Sequence, residues 1–456
     1  MAGLGLERLA GRRVGVLGLA RSGIAAGRAL ARAGAEVLAF DDRPQAAAGF
    51  APGTREDIAG LALLVVSPGV PLTHPAPHEV IVAARAAGVP VTGDIELFAT
   101  SLAGPRPILA ITGTNGKSTT TALVHHLLHA AGRPAQMGGN IGRAVFDLAP
   151  GPADEALVLE LSSYQLDLCE TLRCRVATWL NLTPDHLDRH GGMEGYAAAK
   201  RRIFRNQQPG DTAVVAIDDA PSRALADELG AAGRRVLRVS SLGPVRGGVG
   251  VEEGILLDGL DGPPVAVADL RGLATLRGRH NQQNVAAAYA MLRAFGLAPQ
   301  EAVRGLESFA GLPHRTEEVG RIGPVLFVND SKATNPESAT KSLASFSDVF
   351  WIAGGTAKEG GFAALLPYLG GVRRAYLIGV AAPAMAAALG GRVPLVEAGT
   401  LERAVALAHA DAQASGLAEP VVLLAPACAS FDQFTSFEAR GDAFRALVAA
   451  RIPGER

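Results

Sequence analysis

The feature that most constrains the fold is an apolar run that leads into a glycine-rich loop and then into a helical stretch. Residues 108–112 read Ile-Leu-Ala-Ile-Thr, the loop contains Gly113 and Gly116, and the stretch that follows carries Leu123 and Leu127 at helical spacing. A buried strand, a glycine turn and a helix in this order are typical of a parallel sheet with crossover helices. The chain is therefore expected to have an α/β fold.

The same loop has the composition of a phosphate-binding loop. It consists of Gly113, Thr114, Asn115, Gly116, Lys117, Ser118 and Thr119. Backbone N–H groups at the start of a helix bind phosphate, Lys117 can reach the β- and γ-phosphates, and the Ser118 hydroxyl can bind Mg²⁺. The match to the general pattern is incomplete, because Ile111 stands where the first glycine belongs. An ordinary strand–turn–helix connection is the alternative, but these residue types together favour ATP.

Strand-like and helical stretches alternate along the rest of the chain. We expect strands at residues 14–19, 36–40 and 61–66, a linker at 103–107, and further strands at 325–329, 349–353, 374–378 and 421–425. A length of 456 residues suits about three domains. The predicted domains are residues 1–100, 101–311 and 312–456.

Composition excludes several classes of protein. The formal net charge is −1, whereas proteins that bind nucleic acid or anionic membranes normally carry a basic surplus. The three cysteines match neither a disulfide framework nor a zinc site. No apolar stretch reaches the roughly 18 residues of a membrane helix, and the short apolar run after Arg13 fits a first strand better than a signal peptide. We expect a cytoplasmic protein with no nucleic-acid partner and no membrane span.

Lysine is rare in this chain. Of 43 basic residues only five are lysine, namely Lys117, Lys200, Lys332, Lys341 and Lys358. A general compositional bias explains the excess of arginine. A lysine that remains in such a background can still mark a place where a compact primary amine is needed and a guanidinium does not serve.

Several segments together resemble the Mur ligase family of peptidoglycan synthesis. They occur in the family's order over almost the whole chain: Gly113–Thr119 as above, Glu160-Leu-Ser-Ser-Tyr-Gln-Leu166, Asn181-Leu-Thr-Pro-Asp-His-Leu-Asp-Arg189, Tyr196-Ala-Ala-Ala-Lys200, Gly278-Arg-His-Asn-Gln-Gln-Asn284, Leu312-Pro-His-Arg315, Asn329-Asp-Ser-Lys-Ala-Thr-Asn335 and Pro426-Ala-Cys-Ala-Ser430.

The resemblance implies a reaction and an architecture. The reaction is the ATP-dependent addition of D-glutamate to UDP-N-acetylmuramoyl-L-alanine through an acyl phosphate. The architecture is a Rossmann-like N-terminal domain for the UDP-sugar, a central P-loop ATPase-like domain with a parallel sheet, and a Rossmann-like C-terminal domain for the amino acid. A monomer is expected.

The resemblance also implies a catalytic set of Lys117, Glu160, His186 and Lys200. Glu160 follows the apolar residues 156–159, which is the usual place for a functional carboxylate at the edge of a parallel sheet. By resemblance, Glu160, His186 and Ser118 bind Mg²⁺, and two such ions are expected. Histidine is an unusual ligand for so hard a cation, so the residues alone leave an acid/base role open for His186.

Lys200 has a special place in the resemblance. The matching lysine of the family carries a carbamate derived from CO₂, which turns a cation into an anionic oxygen ligand near the second metal ion. A primary amine can form such a carbamate and an arginine cannot. Because Arg201 and Arg202 follow directly, a solvated basic helix face is the alternative interpretation for Lys200.

Ligand contacts are also implied by the resemblance. For the nucleotide these are Asn281 at the adenine, Asp330 at the ribose, Arg315 at the phosphates, and Asn284. For D-glutamate they are Lys332, Thr334, Lys358, Ser430, Phe431 and Phe437. For the UDP-sugar they are Arg21, Ser22, Arg43, Ser67, Pro68 and Gly69, with Gly139, Asn140 and Ser162 from the central domain. Capping or turn formation remains an alternative for the two asparagines.

Other functions stay open at this point. A sister Mur ligase or a folylpolyglutamate synthase would share the ATP chemistry. An NAD-binding regulator is a different class, suggested by the glycines Gly18 and Gly23 and by Asp41 after the second strand. In that fingerprint, however, Ala20 replaces the second glycine.

Overall fold

The computed structural model describes residues 5–42, 49–102, 104, 106–357 and 360–451. The chain divides into two compact units, one formed by residues 1–270 and 282–307 and the other by residues 271–281 and 308–456. The first unit contains a five-stranded and a nine-stranded sheet, and the second unit contains a six-stranded sheet. Each unit is described by itself.

The N-terminal sheet of the first unit is entirely parallel, with the strand order β3-β2-β1-β4-β5. Its strands are β1 (Arg13–Leu17), β2 (Glu36–Phe40), β3 (Ala51–Pro52), β4 (Leu63–Val66) and β5 (Val91–Gly93), and its helices are α1 (Arg21–Arg32), α2 (Glu79–Ala86) and α3 (Asp94–Ser101). Apolar residues of β1 and β4 are buried on both faces of this sheet, as expected of parallel strands covered by helices.

The second sheet has the order β14-β13-β12-β11-β10-β9-β6-β8-β7. Its strands are β6 (Ile108–Thr112), β7 (Ala135–Gly139), β8 (Ala156–Glu160), β9 (Val176–Trp179), β10 (Thr212–Ala216), β11 (Val236–Ser240), β12 (Val249–Glu252), β13 (Ile255–Asp258) and β14 (Val265–Asp269). The helices of this part of the chain are α4 (Lys117–Ala130), α5 (Ser163–Leu166), α6 (Leu187–His190), α7 (Met193–Arg201), α8 (Ala220–Ala231), α9 (Arg279–Phe295) and α10 (Pro299–Val303).

The strand β6 lies between β8 and β9 and is parallel to both. All five of its residues are buried, which accounts for a strand without polar alternation. Because parallel strands end at the same edge of a sheet, Thr112, Glu160 and Trp179 bring three chain segments together there.

The second unit is built on the order β15-β16-β20-β17-β18-β19, in which only β15 is antiparallel to its neighbour. The strands are β15 (Glu317–Ile322), β16 (Val325–Asn329), β17 (Val349–Gly354), β18 (Val372–Ile378), β19 (Leu395–Gly399) and β20 (Val421–Leu424), and the helices are α11 (Pro336–Leu343), α12 (Ala382–Leu389), α13 (Leu401–Ala414) and α14 (Phe437–Ala449). Apolar clusters cover both faces of this sheet.

The predicted α/β fold with parallel sheets is confirmed, and strands occur at each predicted place with ends that shift by up to two residues. The boundaries of the three predicted domains stay predictions. Within the described residues, no helix combines the length and the apolar character that crossing a membrane requires.

Candidate functional site

The phosphate-type loop follows β6 and leads into α4. Gly113 and Gly116 have φ values of 151° and 86°, which favour glycine. Helix α4 begins at Lys117, directly after Gly116. Because glycine has no side chain to cap the helix, the first N–H groups of α4 remain available to a phosphate. Lys117 Nζ donates to the carbonyl oxygens of Gly113 at 2.9 Å and Thr114 at 2.8 Å. The amine is thus held over the loop.

Asn181, just after β9, fixes the shape of the loop. Its side-chain oxygen accepts a hydrogen bond from the Asn115 N–H at 2.8 Å, and its amide donates to the Asn115 carbonyl oxygen at 3.1 Å. Its own carbonyl oxygen accepts from the Thr114 N–H at 3.0 Å. No role was predicted for Asn181, although an asparagine just after a buried strand is a usable signal.

Lys200 is buried beside the loop and is only 1% exposed. Its Nζ donates to the Gly113 carbonyl oxygen at 2.9 Å, the same atom that Lys117 contacts. Nζ also lies 4.6 Å from the ring centroid of Tyr196, one helical turn earlier. Burial, together with the positive charge of Lys117, holds the pKa of Lys200 well below its usual value. The solvated-face interpretation is therefore wrong for Lys200, whose burial favours the neutral form of the amine.

Glu160 lies at the carboxyl end of β8 and is 2% exposed. Its Oε1 accepts a hydrogen bond from the side-chain amide of Asn140 at 2.7 Å. Its Oε2 is buried and has no hydrogen-bond partner among the described residues. A buried carboxylate oxygen without a donor is costly, so this atom fits a bound cation.

His186 stands at the edge of this group. It adopts a left-handed conformation with φ 53° before α6, and its ring centroid lies 4.9 Å from that of Tyr164. Partial burial lowers its pKa, and the nearby charges of Lys117 and Lys200 lower it further, although Asp185 opposes them. A neutral imidazole can bind a metal ion.

The predicted metal ligands are Ser118, Glu160, His186 and Lys200. In the described part of the chain, no group of three or more side chains of the types His, Cys, Asp or Glu is placed to hold a metal ion. An ion at this edge would therefore need the Ser118 hydroxyl and a modified Lys200 beside Glu160 and His186. Tyr196 lies between two of these side chains, with Lys200 Nζ 4.6 Å and the His186 ring centroid 6.5 Å from its own ring centroid. Glu160 ends the strand next to β6, at the same edge of the sheet.

Two ring side chains without a predicted role, Tyr164 and His190, pack near His186. The ring of His190 stacks on Tyr164 with centroids 5.4 Å apart, and its Nε2 lies 3.0 Å from Ser163 Oγ. The guanidinium carbon of Arg189 also lies over the Tyr164 ring, 4.6 Å from its centroid. These contacts orient the short helix that follows His186.

A cavity of about 510 Å³ lies beside this edge, within the first unit. Its lining includes most of the residues predicted to bind the UDP-sugar: Arg21, Ser22, Ser67, Pro68, Gly69, Gly139 and Asn140. Arg21 donates to the carbonyl oxygens of Asn140 at 3.0 Å and Gly142 at 2.8 Å, so it also joins the start of α1 to the loop after β7. Arg43 lies outside the described residues.

A second cavity of about 270 Å³ shares Asp41, Asp42 and His78 with the first and adds Arg55. The Asp41 carboxylate accepts a hydrogen bond from the Leu19 N–H at 2.6 Å, which fixes the turn after β1. Ser162, also predicted to bind substrate, forms a capping box with Gln165 at the start of α5.

In the second unit, Asp330 follows β16 and is almost completely buried. It accepts hydrogen bonds from the Ser342 hydroxyl and from the Thr316 N–H. Burial raises the pKa of Asp330 to about 6, although the positive charge of Arg315 works in the opposite direction. Asn281 donates to the Arg277 carbonyl oxygen at 2.9 Å.

Of the residues predicted to bind D-glutamate, Lys332 and Thr334 follow β16, Ser430 and Phe431 follow β20, and Phe437 begins α14. Lys332 Nζ lies 3.9 Å from the ring centroid of Phe437, Ser430 is buried, and Phe431 is 74% exposed. Thr334 donates its N–H to the Lys332 carbonyl oxygen at 2.8 Å. Lys358 lies outside the described residues.

Asn284, predicted to contact the nucleotide, lies in the first unit, where its side chain packs against Gly116 of the phosphate-type loop.

Comparisons with known proteins decide the family. The family model "Mur ligase middle domain" matches residues 111–292, and "Mur ligase, glutamate ligase domain" matches residues 314–428. A protein of Nitrobacter hamburgensis named UDP-N-acetylmuramoylalanine--D-glutamate ligase is 51% identical over 98% of this chain and 97% of its own length. The chain belongs to the Mur ligase family.

Further comparisons agree with the Mur ligase assignment. A protein of Caulobacter vibrioides with the same name is 52% identical, over 96% of this chain and 95% of its own length. The crystal structure of the MurF ligase from Thermotoga maritima in complex with ADP superposes with a TM-score of 0.57 at 19% identity, covering 93% of this chain and 91% of that one. At that identity the likeness concerns the Mur ligase fold.

Proposed function

We propose that this Mur ligase adds D-glutamate to UDP-N-acetylmuramoyl-L-alanine, with cleavage of ATP to ADP and phosphate. The observation that carries the choice of substrates is the identity of about half of all residues, over nearly the full length, to relatives named for this reaction. The geometry at the edge of the second sheet supports the class of reaction, because two amines and a buried carboxylate surround a phosphate-type loop.

The reaction needs activation of a carboxylate. A carboxylate is a poor electrophile, so the γ-phosphoryl group of ATP is first transferred to an oxygen of the L-alanine carboxylate, and ADP leaves. The amine of D-glutamate then attacks the carbonyl carbon of the acyl phosphate. Loss of a proton and of phosphate from the tetrahedral intermediate leaves the amide. The protein contributes positioning and charge neutralisation.

The loop residues have distinct tasks in this proposal. Lys117, which now donates to two loop carbonyl oxygens, exchanges them for the β- and γ-phosphate oxygens and balances their charge. The N–H groups at the start of α4 bind the same phosphates. Asn181 and Asn284 keep the loop in the shape that this requires.

Mg²⁺ fits the residues at this edge, since Glu160 presents a buried oxygen without a partner. Ser118, Glu160 and His186 would hold the ion, which when bound would neutralise charge on the phosphate oxygens. We further propose that the Lys200 amine adds to CO₂ and releases one proton, which forms a carbamate and adds an anionic oxygen to this set. Only an unprotonated amine attacks CO₂, and the burial of Lys200 favours that form.

The two substrates have candidate binding surfaces. The UDP-sugar would occupy the cavity lined by Arg21, Ser67 and Asn140, and the neighbouring cavity beside Asp42 and His78 would receive another part of the same ligand. D-glutamate carries two carboxylates and needs cationic or N–H contacts. Lys332 and the loop around Ser430 would supply them in the second unit, with Lys358 and Thr334.

The proposal also includes a fold class for each of the three sheets. The strand order β3-β2-β1-β4-β5 supports a Rossmann-like N-terminal domain, and we propose the same class for the C-terminal sheet and a P-loop ATPase-like class for the central one. A monomer that acts in the cytoplasm completes the proposal.

The test is phosphate release with purified protein, ATP and Mg²⁺. We expect release only when both UDP-N-acetylmuramoyl-L-alanine and D-glutamate are present. Equal release with L-lysine, diaminopimelate or folate in their place would overturn the choice of substrates. Lys117→Ala should abolish release, and substantial residual turnover in that variant would contradict the role of the loop.

A further inference from the structure

Two histidines face each other on helix α4, towards the end that is distant from the phosphate-type loop. His125 and His129 are four residues apart, so their side chains lie on one face of the helix. Their Nε2 atoms are 3.1 Å apart, the ring centroids are 4.5 Å apart, and the ring planes meet at 76°. Neither residue has a task in the proposed ligase reaction.

This geometry differs from that of a simple hydrogen bond between the rings. A straight N–H···N bond of this length would separate the two centroids by about 5.5 Å, whereas the observed separation is 4.5 Å. The two nitrogens therefore do not point straight at each other. Two nitrogens that each bind one ion at about 2.1 Å, with about 90° between the bonds as in square-planar coordination, are about 3.0 Å apart. The observed Nε2–Nε2 distance of 3.1 Å is close to this value.

A third donor atom lies at the same place. The carbonyl oxygen of Ala135 is 3.1 Å from His129 Nε2. Ala135 is the first residue of β7, the edge strand of the second sheet. Burial, and the neighbouring His129, lower the pKa of His125 to about 4, so its ring is neutral at pH 7. A neutral imidazole is the form that binds metals.

We propose that His125 and His129, with the carbonyl oxygen of Ala135, form a binding site for a divalent metal ion such as Cu²⁺, Ni²⁺ or Zn²⁺. Imidazole nitrogens suit these ions, with Cu²⁺ bound more tightly than Ni²⁺ or Zn²⁺. Mg²⁺ takes oxygen ligands and does not compete. The ion would join the end of α4 to β7, and water would complete its coordination. This site is independent of the proposed ligase reaction.

The neighbouring His126 provides a matched control. Its Nε2 lies 3.0 Å from the Gly305 carbonyl oxygen, so it points away from the pair. His129 is exposed, so replacing it should leave the fold intact. The variants His129→Gln and His126→Gln therefore each remove one imidazole from the same helix, but only the first removes a proposed ligand.

The test is electron paramagnetic resonance of the untagged full chain with one equivalent of CuCl₂ and excess Mg²⁺. We expect hyperfine splitting from two nitrogens in the unchanged protein and in His126→Gln, and loss of this signal in His129→Gln. Calorimetric titration with NiCl₂ should show at least tenfold weaker binding in His129→Gln alone. A two-nitrogen signal that survives in His129→Gln, or that is absent from the unchanged protein, would overturn the proposal.

Discussion

At the scale of single residues, Lys200 is the most specific test of the metal chemistry. Lys200→Ala should lower kcat at least a hundredfold, because it removes the amine that would carry the carbamate. Lys200→Arg should be nearly as damaging, since a guanidinium cannot form one. Steady-state kinetics of phosphate release measure both effects.

A neighbouring residue controls for the disturbance of helix α7. Arg201 is exposed and pairs with Glu228, so Arg201→Lys should leave kcat unchanged. Short-chain carboxylic acids should restore part of the activity of Lys200→Ala by supplying the missing carboxylate. If this variant binds ATP normally and stays inactive with those acids, the carbamate role is wrong.

Arg440 is a second residue with a clear prediction. It is 1% exposed, and its guanidinium donates to the Ser331 hydroxyl at 3.0 Å and to the carbonyl oxygens of Ser331 at 2.9 Å and Cys428 at 3.1 Å. It therefore fixes the two loops that carry Lys332 and Ser430. Arg440→Met should destabilise the protein by about 3 kcal/mol, since buried acceptors lose their donors, and should raise KM for D-glutamate more than KM for ATP.

The matched control for Arg440 is Arg445, which lies on the same helix. Its side chain is 36% exposed and pairs with Glu317 and Asp442. Arg445→Met should cost less than about 1 kcal/mol, as measured by urea unfolding. Equal losses of stability in the two variants would contradict the special role of Arg440.

The sequence could single out Lys200 but not Arg440. Lysine is rare in this chain, and Lys200 stands in a family motif. Arg440, in contrast, is one of many arginines in a helical stretch. Its acceptor Ser331 lies 109 residues away, so nothing local indicates that its guanidinium is buried.

At the scale of elements, the end of strand β7 depends on a glycine. Gly139 has φ 97°, and a Cβ there would overlap the carbonyl oxygen of Glu160 on β8. Gly139→Ala should therefore separate β7 from β8, disturb the contact between Asn140 and Glu160, and lower both stability and kcat. Thermal unfolding and phosphate release measure the two effects.

Gly132 is a control that separates backbone strain from atomic overlap as the cause of the effect expected for Gly139→Ala. It also has a positive φ, 72°, but a Cβ there would meet no atom within 4 Å. Gly132→Ala should cost only the conformational strain of about 1–2 kcal/mol and leave kcat unchanged. A similar loss of activity in both variants would show that overlap with Glu160 is not the cause.

The start of helix α3 should make stability depend on pH. Asp94 is 2% exposed and accepts a hydrogen bond from Gln165, and burial raises its pKa to about 6. Because the folded state favours the protonated form, this carboxyl destabilises the fold as pH rises through about 6. Asp94→Asn should therefore raise the free energy of unfolding by about 1–3 kcal/mol at pH 7.5, with the gain declining towards pH 4.

Urea unfolding at pH 7.5 and at pH 5 measures this dependence. Asp261, whose side chain is 83% exposed, is the control, and Asp261→Asn should change stability by less than about 1 kcal/mol at either pH. A gain for Asp94→Asn that is the same at both pH values would contradict the account of the Asp94 carboxyl.

The sequence predicted some strands and turns with their residues and missed others. Strand β6 and its loop were predicted with their residues, because burial and glycine geometry there act locally. The hairpin of β12 and β13 was missed. It turns at Glu253 and Gly254, which have φ values of 49° and 81°. Such a turn is normally marked by Asn-Gly or Asp-Gly, and glutamate gives no comparable signal.

At the scale of the whole molecule, the strand orders could not be derived from local patterns. In the six-stranded sheet, β20 lies between β16 and β17, although more than 60 residues separate it in sequence from either neighbour. The edge at which Lys200 meets the phosphate-type loop likewise depends on contacts 87 residues apart. The order of the motifs, carried by the family resemblance, predicted the reaction where periodicity alone could not.

The central claim is that ATP activates the carboxylate of UDP-N-acetylmuramoyl-L-alanine as an acyl phosphate, which the amine of D-glutamate then attacks. The most direct measurement uses this substrate labelled with ¹⁸O in both carboxylate oxygens, followed by mass spectrometry of the released phosphate. The account predicts one ¹⁸O atom in each phosphate and one in the amide product. Phosphate without ¹⁸O, or label found in AMP, would contradict it.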